Sequence, residues 1–453
     1  MGVASDLLIA QPLTLKCGLT LQNRLVKAAM AEALCDSQGL PNERLFALYK
    51  HWSEGGWGLI ITGTVPIHFL HPTTPDTQPL AVAASSSTNP PPGNVLVDSA
   101  HLGQPGDAAF TTSLPDSAHI PAYSAWARAS RATSTPATPT IVQLNHPGRQ
   151  SPRGSGSRGL FTPPMAPSAI PLSLGEGWVA WLLQLLALPT PREMTQGDIA
   201  DVVGQFARAA RIVAEAGFDG VEIHGAHGYL ISQFLAESSN RRTDAYGGSP
   251  ANRARFAVEV VRAVREATRG YERFCVGIKV NSVDHQREAE LGEFVEQLRM
   301  IVDAGVDFVE ISGGIMRIRR YMAWGPDGPQ PEQKSERTKA REAFFLEFAQ
   351  VIRKEFQDVP LMVTGGFSSR IGMEKAVSDG GCDLVGLARP AVVNPSLPSN
   401  VIFNSEFEDQ DAKLYRKKNS PSWIFNALGV LAVRAGKETR REGEQVDSAL
   451  NTI

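Results

Sequence analysis

An α/β barrel of the (β/α)8 TIM type is the fold this 453-residue sequence predicts, and three observations predict it. Short runs rich in Val, Ile and Leu alternate with amphipathic stretches, as parallel strands covered by helices require. The apolar runs number eight, the count at which such a sheet closes on itself. Several amphipathic stretches end on a glycine just before the next apolar run, as in Ala216-Gly217-Phe218 and Ala304-Gly305-Val306, which is helix-ending chemistry ahead of a strand.

In chain order the expected strands are Arg24 to Ala29, Gly58 to Thr62, Thr140 to Asn145, Gly220 to His224, Val276 to Asn281, Phe308 to Ser312, Leu361 to Thr364 and Leu384 to Leu387. Helices are read over Thr195 to Ala216, Arg253 to Ala267, Gly292 to Ala304, Arg341 to Phe356 and Ser369 to Asp379. The first carries Ile199, Val202, Val203, Phe206, Ala210 and Val213 at three- and four-residue intervals, with Thr195 as its cap and Asp198 in its first turn. Two regions break the rhythm. Between Thr62 and Thr140 runs a Pro-, Ser-, Thr- and Ala-rich excursion, read as loop apart from a helix near Tyr123 to Ala132. Residues 401–453 are charged and uneven, with an apolar patch at Trp423 to Val433. The expected organisation is one catalytic barrel over residues 1–400, with long loop insertions, and a C-terminal extension over 401–453 without an assigned role.

With 42% hydrophobic and 20% charged residues the chain has the material for a large core. A formal charge of −3 and the absence of a basic block argue against nucleic acid or anionic lipid as partner and towards a small-molecule substrate. Cys17, Cys35, Cys275 and Cys382 are too scattered in sequence for a CxxC motif. Reduced thiols, no secretory leader pattern and no glycosylation sequon make a cytoplasmic enzyme the expectation. Trp178 to Leu188 is the most apolar window but is about half the length that crosses a bilayer, and Pro189 and Pro191 close it. It reads as a packed loop or short core helix, or as an apolar lid over a pocket. Composition leaves a homo-oligomer open.

The segment richest in chemistry is His224-Gly225-Ala226-His227-Gly228-Tyr229, followed by Asn240-Arg241-Arg242-Thr243-Asp244-Ala245-Tyr246-Gly247-Gly248-Ser249. Glu222 and His224 fall at the C-terminal end of an expected strand, where barrels keep their active sites, and the loop after it presents His227 and Tyr229 to the same face. Imidazole N–H groups stabilise negative charge growing on a carbonyl oxygen, and a phenol supplies a proton. Two histidines three residues apart are also half of a metal site, yet no cluster in the sequence completes three or four ligands. Either imidazole alone reads as a satisfied core group.

Together these blocks resemble the signature of the Old Yellow Enzyme family of flavin reductases. The resemblance runs over residues 10–400 and includes Asn23-Arg24-Leu25-Val26-Lys27-Ala28-Ala29-Met30, Gln143-Leu144-Asn145-His146-Pro147-Gly148-Arg149, Gly277-Ile278-Lys279-Val280-Asn281 and Val363-Thr364-Gly365-Gly366-Phe367. It implies FMN on the C-terminal mouth of the barrel, its ring edge held by Ala28, Ala29, Met30, Ala31 and Thr64, and its pyrimidine bonded to Gln143. Lys279 would stand by the flavin N1 and O2, where a cation favours the reduced anion. Gly365, Gly366, Ala388 and Arg389 would cradle the phosphate. Ala33, His224 and His227 would meet the substrate and Tyr229 would protonate it.

The implied activity is transfer of hydride from NAD(P)H, by way of FMN, to the C=C bond of an α,β-unsaturated carbonyl compound. The same parts would serve a desaturase or oxidase running the other way, and a scaffold that has lost catalysis would also carry the fold. Two departures stand out: Ala31 where relatives place Thr or Cys, and Ala388 where they place Gly. Residues 284–287 and 315–340 diverge as well. Gly154-Ser155-Gly156-Ser157-Arg158-Gly159 satisfies the spacing of a dinucleotide loop, but no strand leads into it and no helix follows, so it reads as a loop. The cysteine quartet and second nucleotide domain of longer relatives are not in this sequence.

Overall fold

A computed structural model of the chain describes residues 6–30, 32, 34–36, 38–63, 95–98, 100–101, 108–110, 114–131, 136–173, 178–282, 288–312 and 348–414. Eight parallel strands close into a barrel: β1 (Leu25–Lys27), β2 (Leu59–Ile61), β3 (Thr140–Asn145), β4 (Gly220–Gly225), β5 (Cys275–Asn281), β6 (Phe308–Ser312), β7 (Leu361–Thr364) and β8 (Leu384–Leu387). Each pairs with its successor, and β8 pairs with β1. This is the predicted (β/α)8 barrel.

Side chains alternate along each strand, so one half of every strand faces the helices and the other half faces the barrel axis. Outward residues such as Val142, Val221, Ile278, Val309 and Val385 join the main core against the helices. Inward residues Val26, Leu59, Ile141, Cys275, Phe308, Met362 and Leu384 form a second, smaller core inside the barrel. A Cβ on Gly277 would lie 2.2 Å from the Phe308 ring, so glycine there is what lets the ring fill the interior. Below them an antiparallel hairpin, Leu13–Thr14 with Thr20–Leu21, inserts Leu15 and Leu21 into the same cluster and closes the N-terminal end.

The helices form where caps and periodicity place them: α1 (Glu43–Ser53), α2 (Asp116–Ala129), α3 (Trp178–Ala187), α4 (Gln196–Glu215), α5 (Leu230–Leu235), α6 (Pro250–Ala267), α7 (Glu288–Asp303), α8 (Arg370–Ser378) and α9 (Arg389–Val393). Residues 348–355 are also helical. Thr195 and Asp198 make a reciprocal capping box at the start of α4, and Ser249 caps α6 with Pro250 in its first turn. Helix α2 begins well before the expected Tyr123 because Arg208 and Arg211 of α4 hold Asp116, an anchor that local sequence does not show. Helix α3 is not a core helix: Trp178, Trp181, Leu185 and Leu186 are exposed. No helix among the described residues is long and apolar enough to cross a membrane. Gly154 to Gly159 form turns with no helix following.

Residues 401–414 pack on the barrel. The buried Arg370 guanidinium donates to the carbonyls of Val401, Ile402, Asn404 and Phe407 and to the Asp409 carboxylate. Residues 415–453, including the apolar patch at Trp423, lie outside the described residues.

Candidate active site

Strand β4 ends in His224 and Gly225, and its continuation turns back over the barrel mouth. His227 takes a left-handed backbone, φ 55°, which a residue with a Cβ adopts at a cost of about 1–2 kcal/mol. Two bonds hold it there: its N–H donates to Asn281 Oδ1 at 2.8 Å, and its carbonyl accepts from Gln150 Nε2 at 2.8 Å. The turn stacks three rings, with His224 centred 5.1 Å from His227 and 4.8 Å from Tyr229, both nearly edge-on. His224 and Tyr229 are buried and His227 is half-buried.

The bonding fixes where the imidazole protons sit. His224 Nδ1 accepts from the Ala226 N–H at 3.1 Å, so the proton of the neutral ring is on Nε2, facing His227 Nδ1 at 3.3 Å. That makes His227 Nδ1 an acceptor and puts its proton on Nε2, 3.1 Å from Ser312 Oγ. Burial, then the neighbouring His227 and Lys279, hold His224 well below the usual imidazole range, so it is neutral at physiological pH. The pair is a directed chain of N–H donors that terminates on β6.

Beneath the rings, Lys279 Nζ lies 3.3 Å from both Glu222 and Glu310, with all three side chains buried. Burial and the Glu310 carboxylate push Glu222 well up, against Lys279 and the amide of Gln143 that bonds it, so Glu222 keeps a proton. Burial works against the Lys279 charge, but the two carboxylates outweigh it and raise its pKa. The direction we adopt is therefore one ammonium held by the cluster, with Glu222 neutral. Around the same mouth, Gln143 Oε1, both amide atoms of Asn145 and Thr364 Oγ1 are buried and make no hydrogen bond among the described residues. Orphaned buried polar atoms are costly, each worth about 1–3 kcal/mol, and they gather here on the ends of β3 and β7.

A family model described as NADH:flavin oxidoreductase / NADH oxidase matches residues 108–407. The chain belongs to that family. A relative named NADH-dependent flavin oxidoreductase from Hypocrea jecorina (strain QM6a) is 42% identical over 429 residues, covering 95% of this chain and 97% of the relative. One of the same name from Neonectria sp. (strain DH2) is 46% identical over 438 residues, and there this chain spans 52% of the relative's length. Among solved structures, morphinone reductase in complex with tetrahydroNAD is similar at a TM-score of 0.61 and 24% identity, over 86% of this chain and 89% of that one. An old yellow enzyme homologue from Zymomonas mobilis gives 0.62 at 22% identity, over 86% and 91%. These two likenesses carry the fold. The family is the one the His-x-x-His-Gly-Tyr segment resembles, and its members are oxidoreductases that bind FMN and use NAD(P)H as co-substrate.

The residues at the mouth fit such a group. A flavin pyrimidine offers alternating N–H donors and carbonyl acceptors, the complement of the unpartnered Gln143 Oε1 and the Asn145 amide. Gly365 and Gly366 follow β7 with φ 111° and 88°, a pair of left-handed residues that turns backbone N–H groups outward in a way few side chains would permit. Ala28 and Ala29 are buried and Met30 is half-buried at the end of β1, and Ala388 precedes the exposed Arg389 at the end of β8. All of these sit at C-terminal strand ends. Ala31, Ala33 and Thr64 lie outside the described residues, as do 283–287 and 313–347.

The structure divides the sequence signature in two. Asn240 Nδ2 donates to the carbonyls of Phe234 and Tyr246, Arg242 reaches those of Pro167 and Met194 while pairing with Asp244, and Tyr246 bonds Glu259. This block ties α5 to α6 and touches none of the three stacked rings through any of these bonds. Ser312 and Asn281, by contrast, went unsingled in the sequence and hold His227. Both stand at the last position of an expected strand, which was the available signal.

Proposed function

We propose that this protein reduces the C=C bond of an α,β-unsaturated carbonyl compound with a nicotinamide reductant, NADH on the precedent of the relatives named for it. What supports the reading is the directed histidine pair, with a neutral His224, beside a buried tyrosine, above a cation and at the mouth where buried amide atoms are unpartnered. FMN, when bound, supplies two-electron redox chemistry between nicotinamide and substrate.

Gln143 and Asn145 would hold its pyrimidine, Gly365, Gly366 and Arg389 its phosphate, and Lys279 would keep a positive charge under the ring. His224 Nε2–H turns from His227 to the substrate carbonyl oxygen, and His227 joins it as a second donor by turning its Nε2–H from Ser312, so both strengthen as the oxygen gains charge. A neutral His224 suits this role because it donates without giving up its proton. Tyr229, packed edge-on against His224, delivers the proton to the α-carbon.

The test is anaerobic: the yellow protein is bleached with NADH, then mixed with 2-cyclohexenone. Return of colour with formation of cyclohexanone is expected. Bleached protein that recolours only when oxygen is admitted would replace the proposal with an oxidase or desaturase.

A further inference from the structure

The far end of the barrel holds a cavity of about 580 Å³, lined in part by Cys17, Arg262, Arg265, Arg269 and Arg273. Cys17 lies in the turn of the plug hairpin and Cys275 is the first residue of β5, whose last residue, Asn281, bonds His227. Six strand rises of about 3.3 Å separate those two ends, so this cavity is roughly 20 Å from the histidines.

Its charge is one-sided. Glu266 is the only acid lining it among the described residues and is already paired with Arg269. Arg265 is spent on Asp307 and the carbonyls of Gly305 and Phe274. Arg262 and Arg273 are exposed and enter no ion pair among the described residues, and Arg273 keeps an unfavourable backbone, φ 60°. Two free guanidinium groups over a concave surface recognise carboxylates.

At the floor, the half-buried Cys17 sulfur lies within 4.8 Å of the sulfur of Cys275 and of the Asp307 carboxylate. Asp307 Oδ2 is occupied by Arg265 and the Val276 N–H, which argues against three free ligands for a metal. Cys275 is buried and kept a thiol, mainly by burial and its contact with Cys17, and its S–H hydrogen bond is the chief cause that lowers the Cys17 thiol. The half-buried Cys17 sulfur, which lines the cavity, is thus the nucleophile and the fully buried Cys275 its donor.

We propose that this cavity is a thiol-exchange site, where Cys17 reacts with a small disulfide that carries carboxylates. The Cys17 thiolate attacks one sulfur of the disulfide, a new S–S bond forms to Cys17, the original S–S bond breaks, and the departing thiolate takes up the proton that Cys17 released. One protein thiol is oxidised and half of the small disulfide is reduced to thiol.

The experiment uses FMN-loaded full-length protein, oxidised glutathione as the anionic disulfide, 2-hydroxyethyl disulfide as a neutral one, and intact-protein and peptide mass spectrometry. A single glutathionyl adduct on Cys17 is expected. The double variant Arg262→Ala/Arg273→Ala should lower the rate with oxidised glutathione relative to the neutral disulfide by roughly fivefold to tenfold, the worth of two solvent-facing ion pairs, with enone turnover unchanged. Added NaCl should erode the same ratio in the unmutated protein. Cys275→Ala should slow both disulfides equally, and Cys275→Ser should restore much of the rate. Modification at Cys35 in place of Cys17, or a ratio indifferent to the arginines and to salt, overturns the proposal.

Discussion

At the N-terminal end of the barrel the inward positions are Cys275, Phe308, Met362 and Leu384, packed to contact and sealed by the hairpin. Towards the C-terminal end the barrel strands turn Gln143, Glu222, Lys279 and Glu310 inward, buried as deeply but charged, protonated or unpartnered. Register and alternation are identical, so backbone geometry does not distinguish the ends. What differs is how well each inward group is satisfied. The lower layer stabilises the fold by removing apolar surface from water, while the upper layer costs stability in buried polar groups and keeps them available for chemistry.

That contrast can be broken most severely at Lys279. Lys279→Met removes the ammonium that the buried Glu222 and Glu310 side chains share and should destabilise the protein by about 3–5 kcal/mol, whereas Glu222→Gln, which replaces a protonated acid by its isostere, should cost under about 1 kcal/mol. Urea unfolding of the two variants makes the comparison, and equal losses would mean that Glu222 is ionised. Next in size, His224→Ala/His227→Ala should lose about 10²–10³-fold in enone turnover while the flavin absorbance remains. Retained turnover in a yellow double variant would discard the donor assignment.

The third effect is on pH. His101, buried against Asp98 at 2.6 Å and near His146, is pushed down to about 4, chiefly by burial. A depressed histidine is neutral in the fold and takes up its proton on unfolding, so its contribution is complete above about pH 6.5 and lost as the pH falls towards 4, some 3 kcal/mol in all. His224 shifts the same way. Unfolding free energies from pH 7.5 to 4.5 should therefore decline, and His101→Gln should flatten the curve. At the lower end of the barrel, Gly277→Ala drives a methyl into Phe308 and should cost about 1–3 kcal/mol with turnover per folded molecule unchanged. Smallest is Ser312→Ala, which removes the acceptor of His227 Nε2–H. A fall in kcat/KM of about fivefold, near 1 kcal/mol, is expected without loss of stability beyond that amount.

Much of this molecule is readable from periodicity and punctuation. Strands β3, β6, β7 and β8 run over the residues expected for them, and α4 starts on its Thr195 cap, because β-branched runs and capping side chains act over a few neighbours. Helix α2 escaped that reading: Pro121 lies inside it, and its first turn is held by arginines more than 90 residues away. The Asn240 to Ser249 block was legible as a signature, but not as the structural tie it is, since its partners are backbone carbonyls. Ser312, Asn281 and the Asp98–His101 pair were silent for the same reason of distance along the chain.

The order of residues alone determined which side chains alternate inward, where helices begin, and that two histidines and a tyrosine share the end of one strand. It did not determine the tautomer of His224, the proton on Glu222, or the approach of Cys17 to Cys275 across the barrel floor. Those depend on burial and on atoms within a few ångströms. Only barrel closure, which brings β3, β4, β5 and β6 side by side, sets both.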